Sequence, residues 1–262
     1  MRLQKNFLLC CFFFLQIVTF SQAQDFLYYG QLSSWFSLNK QVTEFSQLGI
    51  RYIPALSYSK PLSNSHTIDV EASAKIFNVG YFQSESKPDY DDDVSPYRLW
   101  LRLYGSQYEL RVGLQKINFG SASIFRPLMW FDTIDPRDPL QITSGVYGIL
   151  GRYYFLNNAN IWLWGLLGNE DPKGWELIPT AKGKPEFGGR VQIPLFAGEA
   201  AVSYHYRQLE LGGFGPMLPV SYDTNPPENR FAVDGKWDIG VGFWLEAVLT
   251  HHKSDLLPYE WE

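Results

Sequence analysis

Apolar and polar residues alternate with a period of two along much of this chain. From residue 68 to residue 76 every second residue is Ile, Val or Ala, with Asp, Glu, Ser and Lys between them. The same alternation recurs over residues 97–104 and 108–115. A period of two places neighbouring side chains on opposite faces of a β-strand, whereas a helix repeats every 3.6 residues. The pattern therefore predicts an all-β chain.

The predicted strands number about ten over the whole sequence. They are Phe26–Leu38, Glu44–Ser57, His66–Gln83, Tyr97–Tyr104, Gln107–Asn118, Gly145–Leu156, Ala159–Leu167, Glu186–Leu195, Glu199–Leu209 and Arg230–Thr250.

From the third predicted strand onward, the connections alternate between long and short. Long connections run from Gln83 to Tyr97, Asn118 to Gly145, Gly168 to Pro185 and Leu209 to Asn229, and tight turns lie at Gly105-Ser106, Asn157-Asn158 and Phe196-Ala197-Gly198. Outer-membrane barrels have short periplasmic turns and longer outer loops. A β-sandwich has the same in–out pattern but no reason to alternate its connections. The loops therefore favour an antiparallel transmembrane β-barrel, with a secreted soluble β-sandwich as the alternative.

Composition agrees with strands that face lipid on one side and water on the other. Aromatic residues make up 17% of the 262 residues, and hydrophobic residues make up 45%. Asp and Glu number 27 against 22 Lys and Arg, so no basic surface for nucleic acid is expected. After residue 23 no run of 18 apolar residues occurs, so no transmembrane helix is predicted there.

The first 23 residues have the features of a cleaved secretory signal peptide. Arg2 and Lys5 precede a mostly apolar run from Phe7 to Phe20, and Ser21-Gln22-Ala23 places small residues where cleavage requires them. An N-terminal anchor helix is the alternative. Cleavage would leave residues 24–262 as the barrel domain, exported through the inner membrane to the outer membrane. Both cysteines of the chain would leave with the signal, so no disulfide is expected.

One stretch carries a family resemblance. Residues 111–120, followed by Phe125-Arg126-Pro127 and by residues 135–139 (Asp-Pro-Arg-Asp-Pro), resemble porin-like outer-membrane barrels of the alginate-export and phosphate-selective group. The similar region runs from about Tyr97 to Arg207. The resemblance implies a barrel and leaves the solute undefined.

The C-terminus departs from the pattern of that family. Its members end on a strand with a terminal aromatic residue and have more strands, whereas residues 257–262 read Leu-Pro-Tyr-Glu-Trp-Glu. The resemblance therefore implies either a barrel truncated at its C-terminus or a small closed barrel.

Charged residues on the polar faces of three strands are candidates for a pore lining. They are Asp69, Glu71, Lys75, Arg98, Arg102 and Arg111. Rings of charge confer ion selectivity, and the arginines would favour anionic solutes. Alternatively, these residues form cross-strand ion pairs that keep a polar interior satisfied.

The connection from Asn118 to Gly145 contains the candidates for a constriction loop. They are Arg126, Asp132, Asp135, Arg137 and Asp138. Pro136 and Pro139 stiffen residues 130–139 of this connection, so it is expected to fold into the lumen and set the width and charge of the pore. A pair between Arg137 and a carboxylate that pins the loop is the compatible alternative.

Other chemistry finds little support in the sequence. The acidic run from Asp89 to Asp93 lacks the spacing of a calcium loop and is expected to be a solvated loop. No catalytic triad, zinc spacing or phosphate loop is found, so no enzyme activity, metal or cofactor is predicted.

The sequence thus predicts a porin-like channel for passive diffusion of small hydrophilic solutes, anionic or saccharide-like. A non-conducting barrel that anchors surface polysaccharide or assists its export is the alternative. The expected partners are outer-membrane lipid, the barrel assembly machinery and the solutes, with no nucleic acid and with the oligomeric state left open.

Overall fold

The computed structural model describes residues 11–15, 25–39, 45–83, 87–122, 126–132, 134, 142–212 and 223–252. This part of the chain is all-β, as predicted, and contains no α-helix. Consistently, none of its segments forms a helix of the length and apolarity needed to cross a bilayer.

Twelve strands form one sheet in these residues. They are β1 (Cys11–Leu15), β2 (Phe26–Asn39), β3 (Phe45–Ser63), β4 (His66–Gln83), β5 (Asp89–Tyr104), β6 (Tyr108–Gln115), β7 (Val146–Tyr154), β8 (Asn160–Leu166), β9 (Glu186–Leu195), β10 (Gly198–Gln208), β11 (Pro227–Asp238) and β12 (Gly242–His252).

The strands follow one another in the sheet in sequence order, so each pairs with its neighbours along the chain. The pairs β1–β2, β2–β3 and all those from β6 to β12 are antiparallel. Among the described strands this order begins at β1 and ends at β12, and no pairing between these two strands is observed.

From β2 onward the connections alternate between longer and shorter. Short turns occupy residues 64–65, 105–107, 196–197 and 239–241, and the longest connections occupy residues 116–145, 167–185 and 209–226. Positive φ angles at Asn158 (66°) and Phe196 (53°) tighten two of the turns on the short side. The alternation predicted from the sequence is therefore present and extends into the region of β11 and β12.

Three predicted boundaries were wrong. The single strand Arg230–Thr250 is two strands, because the chain reverses at residues 239–241, where Gly240 has a φ of +89°. The acidic run from Asp89 to Asp93 lies in β5 and not in a loop, although its side chains are exposed. The third is β3, which continues to Ser63, six residues past the predicted end at Ser57.

One strand lies where the sequence predicts a signal peptide. β1 pairs with β2 in the register Cys11↔Phe36 to Leu15↔Leu32. Cleavage after Ala23 would remove β1 and leave the β2 edge without this partner, so the signal peptide stays a prediction.

The chain divides into two compact units. Unit 1 comprises Met1–Lys60 and Asp69–Leu99, and unit 2 comprises Pro61–Ile68 and Trp100–Glu262. In unit 1, Arg51 and Arg98 are buried although they are charged, while Ile50 and Leu99 beside them in the sequence are exposed.

Unit 2 buries a face that carries the β6–β7 loop, residues 116–145. Ile117, Phe119, Leu128, Trp130 and Phe131 of this loop form one apolar cluster with strand residues, namely Val146, Leu150, Trp164, Leu166 and Ala232. The Phe119 ring stacks on Trp164 with a centroid distance of 5.4 Å and meets Trp130 edge-on at 5.6 Å. The loop is therefore packed against the sheet by aromatic contacts of the kind that stabilise protein cores.

Candidate functional site

Buried ionic groups surround the apolar cluster of unit 2. On β10, Ser203, His205 and Arg207 are buried, and on β11 Glu228, Arg230 and Asp234 are buried. Within each strand these residues are two or four positions apart, and the two sets face each other in the register of β10 and β11, so all of them project from one face of the sheet. In a soluble β-protein such a polar face would be exposed to water. Here it is buried, and we call it the enclosed face.

Three carboxylates and three fixed cations form a connected network on this face, which we call the ionic cluster. Its members are Lys173, Glu176, Glu186, Arg207, Glu228 and Arg230. Lys173 and Glu176 come from the β8–β9 connection, and the other four come from β9, β10 and β11. The formal charges of the cluster balance, which is the condition under which buried ions are tolerated.

Short contacts join the loop residues of the cluster to the strands. The Lys173 ammonium lies 3.3 Å from Glu176 Oε2 and 3.0 Å from Glu186 Oε1. Glu176 Oε2 lies 3.0 Å from Arg207 Nη1, and its Oε1 lies 3.2 Å from Arg230 Nη2. Glu176 thus ties the β8–β9 connection to β10 and β11 together.

Glu228 completes the cluster at the end of the strands. Arg207 donates to both of its carboxylate oxygens, and Arg230 Nε donates to Oε1 at 2.7 Å. His252 of β12 places Nδ1 3.4 Å from Glu228 Oε2. Bidentate guanidinium–carboxylate pairs of this kind fix orientation as well as charge.

His205 links the ionic cluster to the aromatic cluster. Trp164 donates its indole N–H to His205 Nδ1 at 3.2 Å, and His205 Nε2 lies 3.1 Å from Glu186 Oε2. Because an indole nitrogen only donates, Nδ1 is the acceptor and the ring proton resides on Nε2. His205 therefore donates to Glu186, and both ring nitrogens are satisfied although the side chain is fully buried.

A second buried ion pair lies nearer the middle of the strands. Arg190 of β9 and Asp234 of β11 make a bidentate contact, with Nη2 donating to Oδ2 at 2.8 Å. Arg190 also donates to Ser203 Oγ at 3.1 Å and lies over the Phe119 ring, with Cζ 5.4 Å from the centroid. Ser121 of the β6–β7 loop donates to the same Asp234 at 3.2 Å.

Two of the predicted constriction-loop residues meet on this face. Arg126 Nη2 lies 3.6 Å from Asp132 Oδ2, and the Thr143 hydroxyl donates to Asp132 Oδ1 at 3.1 Å. Arg126 also donates to Asn118. The loop is thus pinned internally, at Arg126 and Asp132. The other predicted members, Asp135, Arg137 and Asp138, lie outside the described residues, as does the proposed Arg137 pair.

The predicted pore-lining residues of unit 1 have local partners. Ser59 donates to Asp69 at 2.7 Å, and Lys75 lies 3.3 Å from Asp93. Glu71 lies against the Tyr29 hydroxyl. Arg98 is stacked over the neighbouring Tyr97 ring, with Cζ 4.0 Å from the centroid.

The predicted pore-lining residues of unit 2 form an arginine–aromatic ladder. Arg102 lies 4.6 Å from the Tyr104 centroid, and Arg111 lies 4.8 Å from the Trp100 centroid. Arg111 Nη2 also lies 2.7 Å from Glu109 Oε1. Lys75 and Asp93 form an ion pair between β4 and β5, as the alternative predicts, whereas Arg111 and Glu109 lie in the same strand. A lining role stays a prediction.

A cavity of about 670 Å³ opens beside the ionic cluster. Trp130, Trp175, Leu177 and Val248 supply much of its apolar wall, and Arg207, Glu228, Arg230 and His252 supply polar groups. Trp175 donates its indole N–H to the backbone oxygen of Arg126 at 2.7 Å, which joins two long loops at the rim.

Most of this site was not predicted from the sequence. The ionic cluster and the Arg190–Asp234 pair were not among the predicted residues. The signal that could have found them is the same period of two: Ser203, His205 and Arg207 alternate with Val202, Tyr204 and Tyr206.

Known proteins offer no further guide to the site. Comparison of the chain with protein-family models, with curated proteins and with solved structures found no match.

Proposed function

We propose that this chain is an outer-membrane β-barrel that spans the bilayer with its strands and conducts small hydrophilic solutes. In this proposal the ionic cluster faces the lumen, and the β6–β7 loop is the constriction. The family resemblance of residues 97–207 points the same way.

One observation carries the proposal: burial is inverted relative to a water-soluble β-protein. Val202, Phe231 and Val233 are 56%, 46% and 47% exposed. Arg207, Arg230 and Asp234, on the opposite face of the same strands, are 2%, 7% and 4% exposed. A contiguous apolar surface of this kind marks contact with a membrane or a partner. Alternate lipid-facing and lumen-facing residues are the mark of a transmembrane barrel.

The exposed apolar face continues across the sheet of unit 2. It includes Leu110, Val112, Ile149, Leu163, Phe187, Val191, Ile193, Phe243, Leu245 and Leu249. Strands β9 to β12 contain 10, 11, 12 and 11 residues. A tilted strand needs about 9–11 residues to cross the hydrocarbon layer, so these strands are long enough.

Reconstitution tests the proposal directly. Folded protein is extracted in detergent, its gel migration is compared with and without boiling, and its conductance is recorded in planar bilayers. We expect heat-modifiable migration and discrete conductance steps. A signal-free chain that stays folded and monomeric in buffer without detergent would overturn the proposal.

A second function is favoured by the packing of the β6–β7 loop. Five of its side chains belong to the apolar cluster on the enclosed face, and such an arrangement can seal a lumen as well as narrow it. The chain would then be a non-conducting barrel that anchors surface polysaccharide or assists its export. Heat-modifiable protein that reconstitutes without ion permeability would support this alternative.

A further inference from the structure

We propose that Glu246 is the positioning residue that holds the β6–β7 loop across the enclosed face of unit 2 and thereby limits conductance. The inference rests on the proposed channel function and deepens it, because it assigns the control of the constriction to a residue outside the loop.

The contacts of Glu246 are all directed at the loop. Its Oε1 accepts the backbone N–H of Ala122 at 2.6 Å, and its Oε2 accepts the N–H of Leu128 at 3.4 Å. These two amides precede and follow residues 123–125 in the sequence, so a single carboxylate binds the loop at two places. Hydrogen bonds to an ionised acceptor are shorter and stronger than neutral ones, and the 2.6 Å contact agrees with that.

The loop is built to approach this carboxylate closely. Gly120 has a φ of +102°, and a Cβ at this position would lie 2.5 Å from Glu246 Oε1 and 3.1 Å from Leu128 Cβ. A residue with a side chain would therefore have to displace the carboxylate or the loop, besides adopting a backbone conformation that favours glycine. Glycine at this position makes the contact possible.

Glu246 differs from the other carboxylate that holds the loop. Asp234 accepts a hydrogen bond from Ser121 but is also neutralised by Arg190, so its place is fixed without the loop. Among the described residues no Lys or Arg lies within salt-bridge distance of Glu246, and its recorded hydrogen bonds go to the two loop amides. Loss of the Glu246 charge should therefore be felt mainly by the loop.

The consequence for conduction follows from where the loop lies. Its side chains cover Trp164, Leu166 and Ala232 on the enclosed face. A loop released from β12 keeps its aromatic packing on β8 but loses its tie on the opposite side. The released loop fluctuates more, and the opening that it narrows becomes wider on average.

Two variants break the contact from opposite sides. Glu246→Gln removes the charge and replaces one acceptor oxygen, and Gly120→Ala places a methyl group against the carboxylate. Glu199→Gln is the matched control, because Glu199 pairs with Lys236 and Gln192 and contacts none of the described residues of the loop. Wild type and all three variants are first compared for heat-modifiable migration, and a variant that fails to fold leaves the other to carry the test.

Hydrogen exchange of residues 118–132 in detergent micelles measures the hold on the loop, and single-channel recording measures the conductance. We expect exchange about tenfold faster in Glu246→Gln and Gly120→Ala, corresponding to the loss of one charge-assisted hydrogen bond. We also expect a conductance above that of wild type, with Glu199→Gln unchanged in both measurements. If wild type is closed and the two variants conduct, Glu246 still holds the loop and the closed barrel is the resting state.

Two results would overturn the inference. If both folded variants exchange hydrogen at the wild-type rate, Glu246 does not hold the loop. If they exchange faster but their conductance is unchanged, the loop does not limit conduction. Failure of the proposed function is distinguishable: a wild-type chain that stays folded in detergent-free buffer removes the channel, while the exchange measurement still reports on the contact.

Discussion

Substitution of Val233 by arginine separates a lipid-facing sheet from a water-facing one. Val233 lies in the middle of β11, pairs with Val202 and Ala247, and is 47% exposed. Its side chain projects from the face opposite to Asp234, so an arginine there would not enter the ionic groups of the enclosed face. The effect of Val233→Arg therefore depends almost entirely on the medium outside the sheet.

The two media give well-separated free energies. A cation placed on the lipid face near the bilayer midplane destabilises a barrel by about 2–4 kcal/mol. On a water-facing strand, a surface substitution of this kind changes stability by no more than about 0.5 kcal/mol. The expected loss for Val233→Arg is therefore at least about 2 kcal/mol if the proposal is correct.

The assay is denaturant unfolding of protein embedded in lipid vesicles, followed by the loss of heat-modifiable migration. Val241→Arg is the control, because Val241 lies in the turn between β11 and β12 and is 76% exposed. Near the interface the same charge costs about 0–1 kcal/mol. If the two variants unfold within about 0.5 kcal/mol of each other, the exposed face does not contact hydrocarbon and the inside-out argument fails.

Three further outcomes are expected. Asp234→Asn leaves Arg190 buried without its countercharge and should lower the free energy of unfolding by about 3–5 kcal/mol in the same assay. The double variant Arg190→Met with Asp234→Leu should recover most of that stability. Equal losses in the single and the double variant would contradict this expectation. Gly183→Ala should lower the free energy of unfolding by about 1–2 kcal/mol, because the φ of Gly183 is +69° although the space around it is open. Gly174→Ala should lower it clearly more, because the φ of Gly174 is +53° and a Cβ there would lie 1.7 Å from a backbone oxygen. N-terminal sequencing of the protein from an outer-membrane fraction should begin directly after Ala23, and a start at residue 1 would remove the signal peptide.

Two strands could be predicted from the sequence with the bounds that the structure has. The strands His66–Gln83 and Glu186–Leu195 were predicted as β4 and β9 are observed. In both cases the alternating pattern is interrupted by turn-forming residues at its ends, and these local signals are the ones that a sequence displays. The all-β class follows from the same alternation.

The reversal between β11 and β12 was hidden for a local reason. Ile239, Val241 and Phe243 continue the alternation of apolar residues through the turn, and Gly240 is the residue there with a positive φ. Gly240 and Gly242 each stand between two apolar residues, and an isolated glycine in a strand pattern indicates a bulge more often than a turn. The strand prediction was therefore correct on both sides of the turn, but the alternation does not show where the turn lies.

The site could not be predicted because its contacts join distant parts of the chain. Lys173 and Glu176 belong to a long connection, and nothing in their sequence neighbourhood indicates that they meet Arg207 and Arg230. Glu246 is a single acid on an apolar strand until the loop amides of residues 122 and 128 are placed beside it. Which loop covers which strand is decided by packing over the whole of unit 2.

If the proposed barrel is correct, the difference between a channel and a sealed barrel depends on one physical quantity, the freedom of the β6–β7 loop to move. The ionic cluster has no net formal charge and its members bind one another, so it stabilises a polar face without attracting ions of either sign. The aromatic cluster resists entry of water, and Arg190 over Phe119 holds its edge. In the proposed channel, an aqueous path past these groups opens or closes only with movement of the β6–β7 loop, whose side chains belong to the aromatic cluster. Because Glu246 binds that loop from β12, we expect a change at this carboxylate to alter permeation while the strands and the ionic cluster stay in place.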